Sequence, residues 1–308
     1  MSAEESVIHA TAPAPMQWLD LAAISVCTLA WGTTWFAITQ QLGVVDPVVS
    51  VTYRFSLASA LLFAWCLLRK QTARLTREQH AAALGLGFCT FAINYPLVYW
   101  AEESVTSAVV AVLFAAMAFV NLGVFRLAFG QRSPALAWGA AGLGVLGVGV
   151  LSWSEIASTH MSAQAQLGIA LAVVGVFMSC VGNVFARRAE LAGAPVATLT
   201  AWSMGYGALI LALFALATGR HWAFAMTWPY VLSLLHLAIN GSVVAFLLYF
   251  GLARRRGYVT ASYISALTPP VAMTVSSFFE ARHWGPTALL GVAFVLSGQL
   301  LLLRTRKA

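Results

Sequence analysis

Arg54 is the only formally charged residue in the segment 47–68. A guanidinium matches a carboxylate with paired N–H donors, so the chemistry it suits is anchoring an anionic group. The structural alternative is an arginine that bonds helix-end carbonyls or packs on Tyr53. Two aromatic series accompany it. Phe91, Tyr95 and Tyr99 recur every four residues, and Trp31 and Trp35 are four apart, so each set shares one helix face. Rings with hydroxyl or N–H tips stack on a planar amphipathic ligand and hydrogen-bond its edge. The same residue types also anchor helices at membrane interfaces. His236 and Asn240 form a further i, i+4 pair. It suits a polar pathway wall with a proton role near neutral pH, or a satisfied core histidine. Pro269 and Pro270 are adjacent inside the segment 257–279. Two missing N–H groups kink a helix, as a hinge, a gate or a static bend.

This set does not make an enzyme. The chain has no H-E-x-x-H, no G-x-S-x-G, no paired carboxylates and no histidine pair, so no catalytic residue, metal site or cofactor is expected. All ten acids fall in tails, loops or segment ends, Glu102 and Glu280 among them. Gly142-Leu143-Gly144-Val145-Leu146-Gly147 spells the dinucleotide pattern, but inside an apolar segment that follows no strand. Its glycines are read as helix-packing contacts. So are the seven-residue recurrences Gly142/Gly149, Gly291/Gly298 and Gly168/Gly175/Gly182. The four cysteines (Cys27, Cys66, Cys89, Cys180) lie far apart in apolar segments and read as small core- or lipid-facing residues.

The elements that must carry these residues follow from composition. Of 308 residues, 9% are charged and 60% hydrophobic, and mean hydropathy is +0.83. Soluble domains carry about 25% charge, so this chain lacks the polar skin they need. The remaining class is an integral membrane protein. Long apolar runs, instead of short alternating ones, decide for helices over a barrel. Ten runs of suitable length occur, at about 18–39, 47–68, 78–100, 104–127, 134–153, 166–187, 195–217, 228–250, 257–279 and 286–303. An all-α polytopic membrane protein is expected. It would comprise an N-terminal tail 1–17, a first unit 18–153, a connecting loop 154–165, a second unit 166–303 and a C-terminal tail 304–308. The N-terminus carries Glu4 and Glu5 and no basic residue before Arg54, so no cleavable signal peptide is expected.

Orientation follows from the basic residues. Fourteen of the 17 Lys and Arg lie in tails or loops on one side, whereas only Arg220 and Arg282 lie on the other and Arg54 lies within a run. The positive-inside rule places both termini in the cytoplasm. Arg54 then lies ~10 Å below the outer surface, where an arginine costs about 2.5–3.5 kcal/mol on insertion scales and faces a cavity or a partner. The basic residues come in small clusters, with no stripe for nucleic acid. A second polar set, Asn121, Asn183, Trp202 and Tyr263, falls in the inner half and reads mainly as helix ties.

Shifting the chain by about 150 residues aligns its halves. Trp31–Phe36 falls on Val181–Ala186, Asp46-Pro47-Val48 on Ala194-Pro195-Val196, Tyr99 on Tyr249 and Val105-Thr106 on Val259-Thr260. Five runs thus fall on five. Because five is odd, the second unit must be inverted in the membrane, an arrangement that favours alternating access around a midplane site. A transporter is expected; a pure channel accounts less well for a duplicated, inverted half.

Five-plus-five runs, Trp31-Gly32, Arg54-Phe55, Pro269 and the stretch from Glu280 to Gly298 resemble the drug/metabolite transporter superfamily of EamA type. The resemblance covers nearly the whole chain. Within the superfamily the chain looks most like bacterial aromatic amino-acid exporters of the YddG type. It departs from the pattern at Ala115-Ala116-Met117, where many relatives carry proline. In the second half Glu280 stands opposite Gln131 and Trp202 opposite Arg54. The resemblance implies export of amino acids, aromatic ones above all, from a bacterial inner membrane, with lipid and a small-molecule substrate as partners. Without an acid deep in a run, the substrate is expected to move down its own gradient; export of other metabolites or drugs with proton coupling through His236 is the alternative. The sequence leaves oligomeric state open, and a monomer is compatible with it.

Overall fold

The structure, a computed structural model, describes residues 17–158, 162–280 and 284–304. The tail 1–16, Arg282 and the basic tail with Arg306 and Lys307 lie outside them, as does part of the connecting loop. The described residues fold entirely as helices and their connections. The first half holds α1 (Trp18–Thr39), α2 (Pro47–Leu68), α3 (Arg77–Leu86), α4 (Tyr95–Glu102), α5 (Ser107–Ala115), α6 (Met117–Phe129) and α7 (Ala135–Ser158). The second holds α8 (Ala163–Leu191), α9 (Val196–Ala217), α10 (Trp228–Ala238), α11 (Ala245–Arg256), α12 (Tyr258–Ala261), α13 (Tyr263–Phe279) and α14 (Pro286–Arg304).

Local chemistry sets the ends. Pro47 sits in the first turn of α2, where its missing N–H costs nothing, and the Asp46 carboxylate accepts from the Val48 N–H at 2.9 Å. Thr76 and Gln79 form a reciprocal capping box at α3. Gly130 ends α6 at φ +65°, a conformation that favours glycine.

Two helices change pitch midway. Residues Gly87–Asn94, between α3 and α4, and Ile239–Val244, between α10 and α11, are π-helical. These widened turns occur at the same place in the two halves under the 150-residue shift. They alter which side chains share a face, because a π-helix bonds five residues back instead of four.

Among the described residues, six helices suffice by length and composition to cross a membrane. They are Trp18–Thr39, Pro47–Leu68, Arg77–Glu102, Ala163–Leu191, Val196–Ala217 and Trp228–Arg256. A seventh is added if α5 and α6, bent by 40° at Ala116, count as one span. The ten expected runs are thus met in part at this level. The bend falls where the sequence has no proline, whereas α13 continues through Pro269 and Pro270.

Helices of the two halves interleave. α2 packs along α9, α7 along α14, and α13 against both α1 and α5. Small residues allow the close approaches. A Cβ on Gly147 would stand 2.6 Å from the Gly291 carbonyl oxygen, and one on Gly298 2.7 Å from that of Ala140. Gly142 and Gly149 face open space, so the packing contact runs through Gly144 and Gly147, not through the expected seven-residue pair. The Gly168/Gly175/Gly182 row does meet a neighbour at every member. Gly147→Leu is therefore expected to lower stability by about 1–3 kcal/mol, the usual cost of overpacking. Gly142→Leu should leave the thermal midpoint in detergent unchanged, and similar midpoints for the two variants would refute the assignment.

Candidate functional site

Arg54 is 1% exposed. α2 carries it against the π-helical turn before α11, and that turn holds it. Its Nε donates to Ser242 Oγ at 3.0 Å. The same hydroxyl donates to the Leu237 carbonyl at 2.8 Å, five residues back. Beside it, a Cβ on Gly241 would come within 3.3 Å of Arg54 Nη2 and 2.5 Å of Thr34 Cγ2, so the turn admits the guanidinium only because residue 241 has no side chain. The Gly241 carbonyl accepts from Trp31 Nε1 at 3.0 Å. The guanidinium carbon lies 4.5 Å from the Tyr95 ring centre and 5.2 Å from that of Phe55, in cation–π range. Arg54 Nη1 is buried and makes no hydrogen bond among the described residues, although the Tyr95 and Tyr99 hydroxyls interact with the guanidinium.

The guanidinium lines a cavity between the two halves. Trp31, Trp35, Tyr95, Phe114 and Phe246 supply its rings, and Thr90, Asn94, Asn183, Ser265 and Thr268 supply polar groups. About 60 Å³ is open to the centres of water-sized spheres, room for roughly four waters. Two further polar atoms of the lining are buried and unpartnered: Trp35 Nε1 and Asn94 Oδ1. Among the described residues, three polar atoms of lining side chains thus lack a partner: two donors, one of them cationic, and one acceptor.

Side-chain bonds tie the helices together toward each end of the bundle. At one end Asn121 Nδ2 donates to Ser262 Oγ at 2.6 Å, and Asn183 Nδ2 donates to Tyr249 OH at 3.0 Å. Tyr249 OH and Ser262 Oγ complete the network at 3.2 Å. At the other end Tyr99 OH donates to Gln41 Oε1 at 2.9 Å. There Ser107 Oγ also donates to both oxygens of Glu280, at 3.1 and 3.0 Å, and Ser276 Oγ donates to Glu280 Oε2.

Of the residues singled out from sequence, Trp31, Trp35, Arg54 and Tyr95 come together in the lining. Tyr99 is fully buried but turns to Gln41. His236 and Asn240 do not line the cavity. His236 Nδ1 meets Asn240 Nδ2 at 3.0 Å and its Nε2 meets Thr33 Oγ1 at 3.0 Å, on a helix face where Leu235 and Ile239 are exposed. Pro269 and Pro270 lie inside continuous α13, just past the lining residues Ser265 and Thr268. From the inner set, Asn183 both lines the cavity and joins the network, whereas Trp202 Nε1 donates to the Ala73 carbonyl at 2.8 Å. Sequence reasoning missed Asn94, whose place the π-helical turn determines. It also missed the burial of Glu102, which does end a helix but is 7% exposed there.

The model of the EamA-like transporter family matches residues 18–153 and again 166–304. Among curated proteins, the chain is 26% identical to the uncharacterized inner membrane transporter YedA of Escherichia coli, over 81% of this chain and 79% of that one. It is 22% identical to protein PagO of Salmonella typhimurium, over 91% of each. It is also 22% identical to a probable amino-acid metabolite efflux pump of Escherichia coli, over 91% of this chain and 94% of the other. A solved crystal structure superposes with a TM-score of 0.73 at 16% identity, covering 94% of this chain and 98% of its own, and so shares the fold.

Proposed function

Because the chain belongs to the EamA-like transporter family, we propose that it exports amino acids, aromatic ones and related metabolites foremost, across a bacterial inner membrane by alternating access. The observation that carries this reading is the ring-lined cavity with its three orphan polar atoms. An α-amino acid supplies their complements. Its carboxylate accepts from Arg54 Nη1 and Trp35 Nε1, its ammonium donates to Asn94 Oδ1, and a planar side chain stacks among Tyr95, Phe114 and Phe246. Burial of the guanidinium without a carboxylate partner favours an anionic ligand group over a purely structural arginine. One relative named as a probable amino-acid metabolite efflux pump lends support to the class. The likeness to YddG-type exporters stays a reading from sequence.

In this reading ten helical stretches cross the bilayer as two inverted repeats. Support comes from the family model matching twice, from π-helical turns at corresponding places, and from the pairing of corresponding helices α2 with α9 and α7 with α14. The Asn121 network is then the inner closure and the Gln41–Tyr99 and Glu280 bonds the outer one. Alternation between the two closures would give the substrate access to the cavity from each side in turn. Transport runs down the substrate gradient. One chain builds the whole cavity, so a monomer suffices.

Uptake into proteoliposomes by phenylalanine, phenylethylamine and 3-phenylpropionate tests the ligand assignment. Phenylalanine should be carried best, and the amine, which lacks the carboxylate, at least about tenfold worse, since one lost charge-assisted contact is worth roughly 1.5–3 kcal/mol. Equal transport of amine and amino acid would remove Arg54 as a carboxylate anchor.

A further inference from the structure

Glu102 is the buried titratable group that the cavity does not use. It ends α4, one turn beyond the lining residue Val98, and is 7% exposed. Both of its carboxyl oxygens are buried and neither has a hydrogen-bond partner among the described residues. The Glu280 carboxylate and the Arg54 guanidinium both act on it, with opposite sign. Glu280 ends α13 and is held by the hydroxyls of Ser107, at the start of α5, and Ser276. The unpartnered Nε2 of fully buried Gln41 is at the same end, where Gln41 accepts from Tyr99.

We infer that Glu102 is a proton-binding site that locks the outer closure: it holds a proton while the closure is shut and releases it to the outside when the closure opens. This inference rests on the transporter reading and its orientation, but not on the identity of the substrate. The physical reason is the cost of an unpaired carboxylate out of water, which a protein avoids by neutralising the group. A second carboxylate nearby adds to that cost, because two like charges in one dry site are not both kept. Opening lets water reach Glu102, which then ionises as an ordinary glutamate does above about pH 4.3. The proton returns to the side it left, so gradient-driven export gains a control by external pH without proton transport. The shut form binds one more proton than the open form. Alkaline conditions outside therefore favour opening and acid ones favour closure, by up to about tenfold per pH unit.

The other ionisable groups near this end, from each neighbouring element, are few. α4 itself brings Tyr99, and Glu103 follows it; Glu103 is pushed up by partial burial and by Asp46. α2 brings Arg54, and Asp46 before it is paired with Arg220 at 2.9 Å. α10 brings Tyr230, bonded to Ser50 at 3.1 Å. α13 brings Glu280. Arg282 and His283 lie outside the described residues.

The test is labelling of a Val98→Cys variant by a membrane-impermeant maleimide added outside spheroplasts, over external pH 5 to 8. It is run with Glu102 intact and with Glu102→Gln, whose neutral amide mimics the protonated group. The ratio of the two rates cancels the pH dependence of the thiol. It is expected to rise at least about tenfold across the range, and Glu102→Asp in place of Gln should restore the rise. A flat ratio overturns the inference. Should Val98→Cys fail to fold, efflux from vesicles of fixed internal pH gives the same comparison. There the wild type should respond to external pH and Glu102→Gln should not, and parallel profiles overturn it. Labelling needs no substrate, so its result stands apart from the amino-acid panel, whose failure would strike the proposed substrate alone.

Discussion

Arg54→Gln is expected to reduce transport of phenylalanine on the order of 100-fold while the protein still folds and inserts. The variant keeps an amide able to reach Ser242 but removes the charge and the unpartnered Nη1 donor. Leaving a buried charge without its partner costs about 3–5 kcal/mol, and the substrate carboxylate would be that charge. Each 1.4 kcal/mol is tenfold in binding. Arg54→Lys keeps the charge and loses the planar fork, so a loss of roughly tenfold is expected, between wild type and Gln. Initial uptake rates in proteoliposomes, normalised to the amount inserted, check the order. Wild-type rates in Arg54→Gln would mean that the arginine is structural.

The second large effect is expected at a residue with no side chain. Gly241→Val places a branched carbon where even a Cβ meets Thr34 Cγ2 at 2.5 Å and Arg54 Nη2 at 3.3 Å. Thr34 is itself bonded to the Trp31 carbonyl, and Trp31 to the Gly241 carbonyl. The strain therefore falls on the guanidinium and the tryptophan together. Overpacking of this kind costs about 1–3 kcal/mol, and here part of it appears as a misplaced anchor. Transport should fall about tenfold or more, with the loss largest for substrates that carry a carboxylate. Gly123→Val, with open space around it, is the control and should transport normally. Equal effects on phenylalanine and phenylethylamine in Gly241→Val would show general misfolding instead of a displaced arginine.

The helical class and helix bounds were legible because apolar run length and flanking proline or charge report directly on the bilayer. Arg54 was legible for the same reason: a lone charge in an apolar run has few places to go. Rotation about a helix axis was not legible. Every face of such a helix is apolar, so the pattern that orients a soluble helix is missing. The series Phe91, Tyr95, Tyr99 assumed four-residue spacing. The π-helical turn at Gly87–Asn94 shifts the register, so the cavity receives Thr90, Asn94, Tyr95 and Val98 while Tyr99 turns to Gln41. His236 and Asn240 do share a face, as spacing required, but it is the one with exposed Leu235 and Ile239. Glu102 was read as a helix end. Its burial arises from tertiary neighbours such as the Glu280 end of α13, which no local pattern encodes.

The most direct test of the central claim is counterflow. Proteoliposomes loaded with unlabelled phenylalanine and diluted into a trace of labelled phenylalanine should accumulate label transiently above equilibrium, with a rate that saturates. A carrier that alternates around one amino-acid site predicts that overshoot, and predicts its loss in Arg54→Gln. Flux without saturation or overshoot for every amino acid tried would contradict the account.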